Sequence, residues 1–237
     1  MVEHSALGNT IQLWSATLSQ VEGASEAILD EHERQTLERI KLAEVKLRYL
    51  KSHWLLRQIV SRYVGEQAGS LRLAYRDKGK PYLPDHALHF SVSHSHDRWI
   101  LALAAAGEIG ADIEKIEPLA GMQAIIRTYF HPEEQKRLNA LEPQQKMVAF
   151  YRQWTQMEAF VKMHGIGLYA RMNTIRKLDR TLMFEDQPDS LAACEAYPLY
   201  PGYIASIAVR GVMLPAVRMA WTPNPNKSSE ECELHAQ

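Results

Sequence analysis

The segment Ile109-Gly110-Ala111-Asp112-Ile113-Glu114-Lys115-Ile116-Glu117 sets two carboxylates two residues apart inside an apolar run. Such alternation predicts a strand, with Ile109, Ala111 and Ile113 pointing to a core and Gly110, Asp112 and Glu114 sharing the opposite face. Two acids on one strand face repel at about 4–6 Å, so either one of them keeps a proton or a cation sits between them. Hard oxygen ligands suit Mg2+, which takes one or two carboxylates together with substrate phosphates. Gly110, lacking a side chain, is expected to leave room on that face for a bulky ligand. The plain alternative is a solvated strand face that happens to alternate with acids, and the rest of the chain decides between the two.

A chain of 237 residues has room for one large domain or two lobes of half that length, with a sizeable core either way. The formal net charge of −1 argues against a general nucleic-acid binder, because backbone-phosphate recognition normally leaves a basic excess. Any phosphate chemistry then depends on local cations. Cys194 and Cys232 are the two cysteines, and one possible pair gives no disulfide framework, so a reducing cytoplasm is expected. The start Met1-Val2-Glu3-His4 lacks the basic and apolar regions of a signal peptide, and no apolar stretch reaches the length of a membrane span. These features predict a soluble cytoplasmic protein without a membrane partner.

Taken in order, Ile11 to Leu18 reads as a first strand, and Glu31 to Tyr63 shows apolar residues at threes and fours, predicting two helices with a break near Lys41–Glu44. Arg48, Ser52, Arg57 and Arg62 are polar positions of the second helix, where arginines ordinarily cover a surface. After a strand at Leu71–Tyr75, Gly79 permits a turn and Pro81 forces Lys80 into an extended conformation on a stiff loop. Leu88 to His96 alternates so that Leu88, Phe90 and Val92 face the core and His89, Ser91 and Ser93 face away, followed by a returning strand from Trp99. His94 and His96 raise a zinc site, but neither cysteine is nearby in sequence to complete it. Two short helical patterns lie between Pro118 and Leu141. A longer helix covers Lys146–Met163, with Met147, Phe150, Tyr151, Trp154, Met157 and Val161 on its buried face and Glu158 one turn after Trp154 and one turn before Lys162. Strands are predicted at Arg180–Phe184, Gly202–Val209 and Ala216–Trp221, and the stretch from Pro223 reads as a frayed tail.

Four motifs in order, G-K-P at Gly79–Pro81, S-H-S at Ser93–Ser95, G-x-D-x-E at Gly110–Glu114 and W-x-x-x-E-A-x-x-x-K at Trp154–Lys162, resemble those of the 4'-phosphopantetheinyl transferases. The match is to the larger, two-lobed type known from activation of the surfactin synthetase, and it runs from about Ile11 to Val209. The resemblance implies an α/β (α+β) fold of two similar lobes related by pseudo-twofold symmetry, with coenzyme A and Mg2+ in the cleft between them. The expected division is 1–106 for an N-terminal lobe, 107–221 for a C-terminal lobe and 222–237 for a flexible tail. A monomer is also implied, because the two lobes together build what smaller relatives form between subunits.

By the same resemblance, Asp112, Glu114 and Glu158 are the metal ligands, and Arg48, Lys80, Ser93, His94 and Lys162 are the coenzyme A contacts. The implied reaction moves phosphopantetheine from coenzyme A to a serine hydroxyl of an apo acyl or peptidyl carrier protein, with adenosine 3',5'-bisphosphate released. Asp112 holds the metal, Glu158 is the candidate base, and Lys162 stabilises phosphate charge. Carrier docking is implied near Leu119, Met122, Ile125 and Ile126, which serve equally well as core. The sequence departs from the family at Met157, where lysine is common, and at Ser91, where asparagine is common. The loss of a cation at Met157 keeps a non-catalytic coenzyme A or carrier-protein binding module in view, and the acids alone also suit a metal-dependent phosphoesterase.

Overall fold

The computed structural model describes residues 7–167, 171–222 and 234–236. The chain forms two compact units. The first takes the described parts of Met1–Tyr75, Pro81–Ala106 and Leu214–Gln237, and the second takes those of Arg76–Lys80 and Gly107–Met213.

In the first unit, the alternating segment Ile11–Thr17 is strand β1. Helix α1, Glu31–Arg39, begins at a capping box in which the Asp30 carboxylate accepts from the Glu33 N–H and the Glu33 carboxylate accepts from the Asp30 N–H. Helix α2 runs over Ala43–Val64 and stops at Gly65, whose φ of 72° ends the right-handed spiral. Short strands β2, Ala74–Tyr75, and β3, Pro81–Tyr82, pair with each other. A hairpin follows, β4 at His89–Ser95 and β5 at Arg98–Ala104. Much of α2, including Trp54, Leu55, Ile59 and Val60, packs with Trp14, Trp99 and Leu101 of the strands in one core.

The second unit begins with β6, Ile109–Lys115, and continues through helices α3, Met122–Tyr129, α4, Pro132–Asn139, and α5, Pro143–His164. Proline at the first position of both α4 and α5 gives up no hydrogen bond there. Strands β7, Ile175–Leu178, β8, Thr181–Phe184, β9, Gln187–Tyr197, and β10, Tyr203–Arg210, complete a sheet in the order β6-β10-β9-β8-β7, with antiparallel neighbours throughout. Helix α5 lies on this sheet, and its Phe150, Met157, Phe160 and Val161 share a core with Ile126, Phe130, Phe184 and Ile204. Each such side chain fully removed from water contributes roughly 1.5–3 kcal/mol.

Two segments depart from the expected division of the chain. Strand β11, Ala216–Trp221, pairs in parallel with β1, from Ile11↔Ala216 to Ser15↔Ala220, so it belongs to the first sheet, where β11, β1, β5 and β4 are successive neighbours. The turn Arg76–Lys80 belongs to the second unit, because its side chains bond there. The expected frayed tail lies mostly outside the described residues, but Leu234–Ala236 forms strand β12 against β11.

Other differences are local. The strand expected over Leu71–Tyr75 shortens to Ala74–Tyr75. Ser91 and Ser93, expected to face away from the core, are buried, as are Leu88 and Phe90. Cys194 is buried with a free thiol, which burial pushes up to about 12, and Cys232 lies outside the described residues. Among the described residues no helix is long and apolar enough to cross a membrane.

Candidate active site

Strand β6 and helix α5 carry the acids. The alternation of β6 holds as expected, with Ile109, Ala111 and Ile113 fully buried on one face. The space at Gly110 is not open to a ligand. A Cβ built there would lie 1.9 Å from the Ala159 carbonyl oxygen and 2.5 Å from the Met163 nitrogen, so the backbone of α5 rests directly on the strand. That approach demands glycine and sets the helix against the acidic face.

Asp112 is 4% exposed, and its Oδ1 accepts from the Lys162 ammonium at 2.6 Å. Glu158, one turn before Lys162, is 5% exposed, and its buried Oε2 accepts no hydrogen bond. Burial pushes the Glu158 carboxyl up to about 7, with repulsion from Asp112 and Glu114 adding to it and Lys162 opposing it. Glu114 is half-buried further along β6. Asp112 bonds the Lys162 ammonium, and Asp112, Glu114 and Lys162 all act electrostatically on Glu158. The structure thus brings together Asp112, Glu114, Glu158 and Lys162.

These donors fit a hard divalent cation. All are carboxylate oxygens, and the Glu158 Oε2 lacks a donor. Among the described residues no group of three or more His, Cys, Asp or Glu side chains is placed to hold a metal ion, and Asp112 is held instead by the Lys162 ammonium.

The other expected contacts are more scattered. Lys80 belongs to the second unit, and its ammonium donates to the carbonyls of Ile109 at 2.9 Å and Met163 at 3.2 Å. Burial lowers its pKa to about 8. In the first unit, Ser93 is buried and His94 exposed on β4, opposite Ile100 and Trp99 of β5. Arg48 is half-buried on α2 and lines a cavity of about 400 Å³ with Leu18, Ser19, Leu47, Lys51 and His96. His96 sits at the hairpin tip with φ 53°.

Two features escaped the sequence reading, and a third was read in two ways. Ser206 of β10 lies opposite Asp112 in register, is fully buried, and shares a 2.7 Å hydrogen bond with Thr155 of α5. The polar residue in an otherwise apolar strand was the available signal. The Tyr151 hydroxyl donates to the Glu117 carbonyl at 3.0 Å, fixing the far end of the helix–strand seam. Met157, placed on the buried helix face by its spacing but also taken as a cation missing from the site, is 1% exposed and belongs to the apolar core. Of the apolar stripe after β6, Ile126 is core, Met122 and Ile125 pack against it, and Leu119 is 39% exposed.

The class of enzyme to which a chain of this architecture belongs is identified by comparison with known proteins. Residues 12–107 match the family model "4'-phosphopantetheinyl transferase, N-terminal", and residues 108–200 match that of the "4'-phosphopantetheinyl transferase superfamily". The chain is 28% identical to the 4'-phosphopantetheinyl transferase HetI of Nostoc sp. over 217 residues, 86% of this chain and 90% of that protein. It is 30% identical to a 4'-phosphopantetheinyl transferase of Bacillus subtilis over 171 residues, 71% of this chain and 75% of the relative. It is also 29% identical over 182 residues to the 4'-phosphopantetheinyl transferase Sfp of Bacillus subtilis strain 168, 75% of this chain and 80% of that protein. The chain belongs to the 4'-phosphopantetheinyl transferase superfamily, in its Sfp-like type, and is a transferase that modifies carrier proteins.

Proposed function

We propose that this enzyme moves the phosphopantetheine arm of coenzyme A to a serine hydroxyl of an apo acyl or peptidyl carrier protein in a Mg2+-dependent reaction, releasing adenosine 3',5'-bisphosphate. The observation that carries this reading is Glu158: a buried carboxylate with an unbonded oxygen and a pKa near 7, set beside Asp112 and the Lys162 ammonium. The serine oxygen forms a bond to the β-phosphorus, and the bond from that phosphorus to the bridging oxygen breaks. A positioned base takes the serine proton, and Glu158 is proposed for that role together with Mg2+ ligation alongside Asp112 and Glu114.

Lys162 presents N–H donors where phosphate charge develops, while its bond to Asp112 fixes its direction. When bound, Mg2+ would supply Lewis-acid neutralisation of the pyrophosphate. Arg48, Ser93 and His94 are proposed as coenzyme A contacts.

The binding-module alternative drew its support from Met157, and that support goes when Met157 is core. The test is an intact-mass measurement after incubation with Mg2+, coenzyme A and an apo carrier protein. The carrier is expected to gain the mass of one phosphopantetheine arm. An unmodified carrier, or hydrolysis of simple phosphate esters without a carrier, would overturn the reading.

A further inference from the structure

The G-K-P lysine stands apart from the ligand contacts because its ammonium already has partners. The two carbonyls that accept from Lys80 belong to the first residue of β6 and the penultimate residue of α5. One residue along β6, Gly110 lets the same turn of α5 press onto the strand. Two residues beyond the opposite end of β6 the Tyr151 hydroxyl holds the Glu117 carbonyl. Asp112 and Glu114 on the strand, and Glu158 and Lys162 on the helix, all lie between these fastenings.

The terminal carbonyls of a helix lack intrahelical donors and carry partial negative charge, so a cation at Met163 is well placed. The turn that delivers Lys80 is itself secured, since the Arg76 N–H donates to the Lys80 carbonyl at 2.9 Å and the Arg76 guanidinium to Glu108 at 2.9 Å.

We infer that Lys80 is a positioning residue: its ammonium clamps the start of β6 to the end of α5 and thereby keeps Lys162 on Asp112 and Glu158 beside them, instead of binding a ligand phosphate. The clamp stands on geometry alone, while its effect on rate rests on the transfer reaction proposed above. A lost clamp lets the helix shift along the strand, and small displacements of reacting groups are costly in rate while substrate still binds.

The first test uses the wild-type chain labelled with 15N-lysine, at pH 6, where the Lys80 amine is protonated. An ammonium resonance slowed in exchange by its two acceptors is expected in the ligand-free protein, assigned by its loss in Lys80→Arg and unmoved when coenzyme A is added. Absence of that resonance, or a shift on adding coenzyme A, overturns the clamp.

The second test is kinetic. Lys80→Met, which keeps the stem and removes the donors, is expected to lower kcat about 10- to 100-fold with KM for coenzyme A within about twofold, and Lys80→Arg to recover most of the loss. A KM rise of about tenfold at unchanged kcat, or unaltered kinetics, overturns it. Should Lys80→Met not fold, the resonance decides. A wild-type chain that modifies no carrier would sink the transfer reading and leave the resonance to judge the clamp.

Discussion

Each unit lays a 22-residue helix on a five-stranded sheet, and each buries charge on or beside that helix, but the two treat the charge differently. In the first unit Arg57 is fully buried. Its guanidinium donates to Glu33 and Asp30 at 2.6 Å each, and to the carbonyls of Ala68 and Leu71 at 3.1 Å. His53 bonds the other Glu33 oxygen at 2.8 Å. Burial alone would raise the Glu33 pKa, yet the hydrogen bond and charge of His53, with Arg57 and the Asp30 N–H, outweigh it and hold it below the usual carboxylate range. In the second unit the Glu158 carboxyl is driven up to about 7 and keeps an unbonded oxygen. A neutralised cluster serves the fold, because nothing in it is left to react. An under-neutralised one is a cost to the fold that binding of a cation or proton relieves.

The sharpest way to break this contrast is to exchange the consequences of mutation. Glu158→Gln is expected to lower carrier modification about 10²–10⁴-fold, as for loss of a general base, while the melting temperature stays level or rises because a repelled buried charge is gone. Mass spectrometry of the carrier and a thermal melt of the variant decide it. A variant that melts early and still transfers normally would place Glu158 with the structural charges.

Arg57→Ala should do the opposite. Removing one partner of a buried ion pair costs about 3–5 kcal/mol, here by stranding Glu33 and two carbonyls. Denaturant unfolding measures that loss, and the rate per folded molecule should hold. A full loss of rate in protein that remains folded would show that the first cluster also serves chemistry.

What sequence reasoning could reach follows from the range of the interactions involved. Alternation on β6 and helical spacing at Glu158 and Lys162 are local patterns, and both survive in the structure. Whatever depends on partners far along the chain was invisible. The pairing of Ala216 with Ile11 has no local signature, so β11 fell to the wrong unit. Gly110 showed that a strand position was bare but not that α5 fills it. Arg57 looked like a surface residue because helical period reports a face and not its neighbour. Its partners Asp30 and Glu33 form a D-x-x-E capping box, a local pattern that the reading of this helix did not use. Strand β9, Gln187–Tyr197, is rich in alanine and shows little alternation to read.

Met157 sharpens the comparison at smaller scale, since it adjoins Glu158 on the same helix yet sits in the apolar core. Met157→Lys would put an ammonium among Phe130, Phe150 and Phe160 with no acid provided for it. The expected result is a loss of about 2 kcal/mol in stability, typical of a disruptive core substitution, and no gain in coenzyme A affinity. Chemical denaturation and calorimetric titration check both parts. Tighter coenzyme A binding that weakens with salt would instead return position 157 to the site.

The smallest effect expected is in acid. The Glu33 pKa lies below its unfolded value, so the ionised form is favoured by folding. Its contribution is complete above the unfolded carboxylate pKa of about 4.3 and is lost as pH falls through the lower folded value. Wild-type stability should therefore decline with falling pH over that window, because the unfolded state there binds more protons than the folded state. Glu33→Gln keeps the shape and removes the titration, so its baseline stability should be lower and its acid decline shallower. Glu158 has the reverse sign, since its raised pKa means that folding favours the protonated form and stability falls as pH rises from the ordinary range toward about 7. Urea midpoints of wild type, Glu33→Gln and Glu158→Gln between pH 3 and 8 separate the two. If Glu33→Gln leaves the acid limb unchanged, the first cluster is not held by ionised Glu33, and the distinction between a satisfied and an unsatisfied buried acid loses its clearest member.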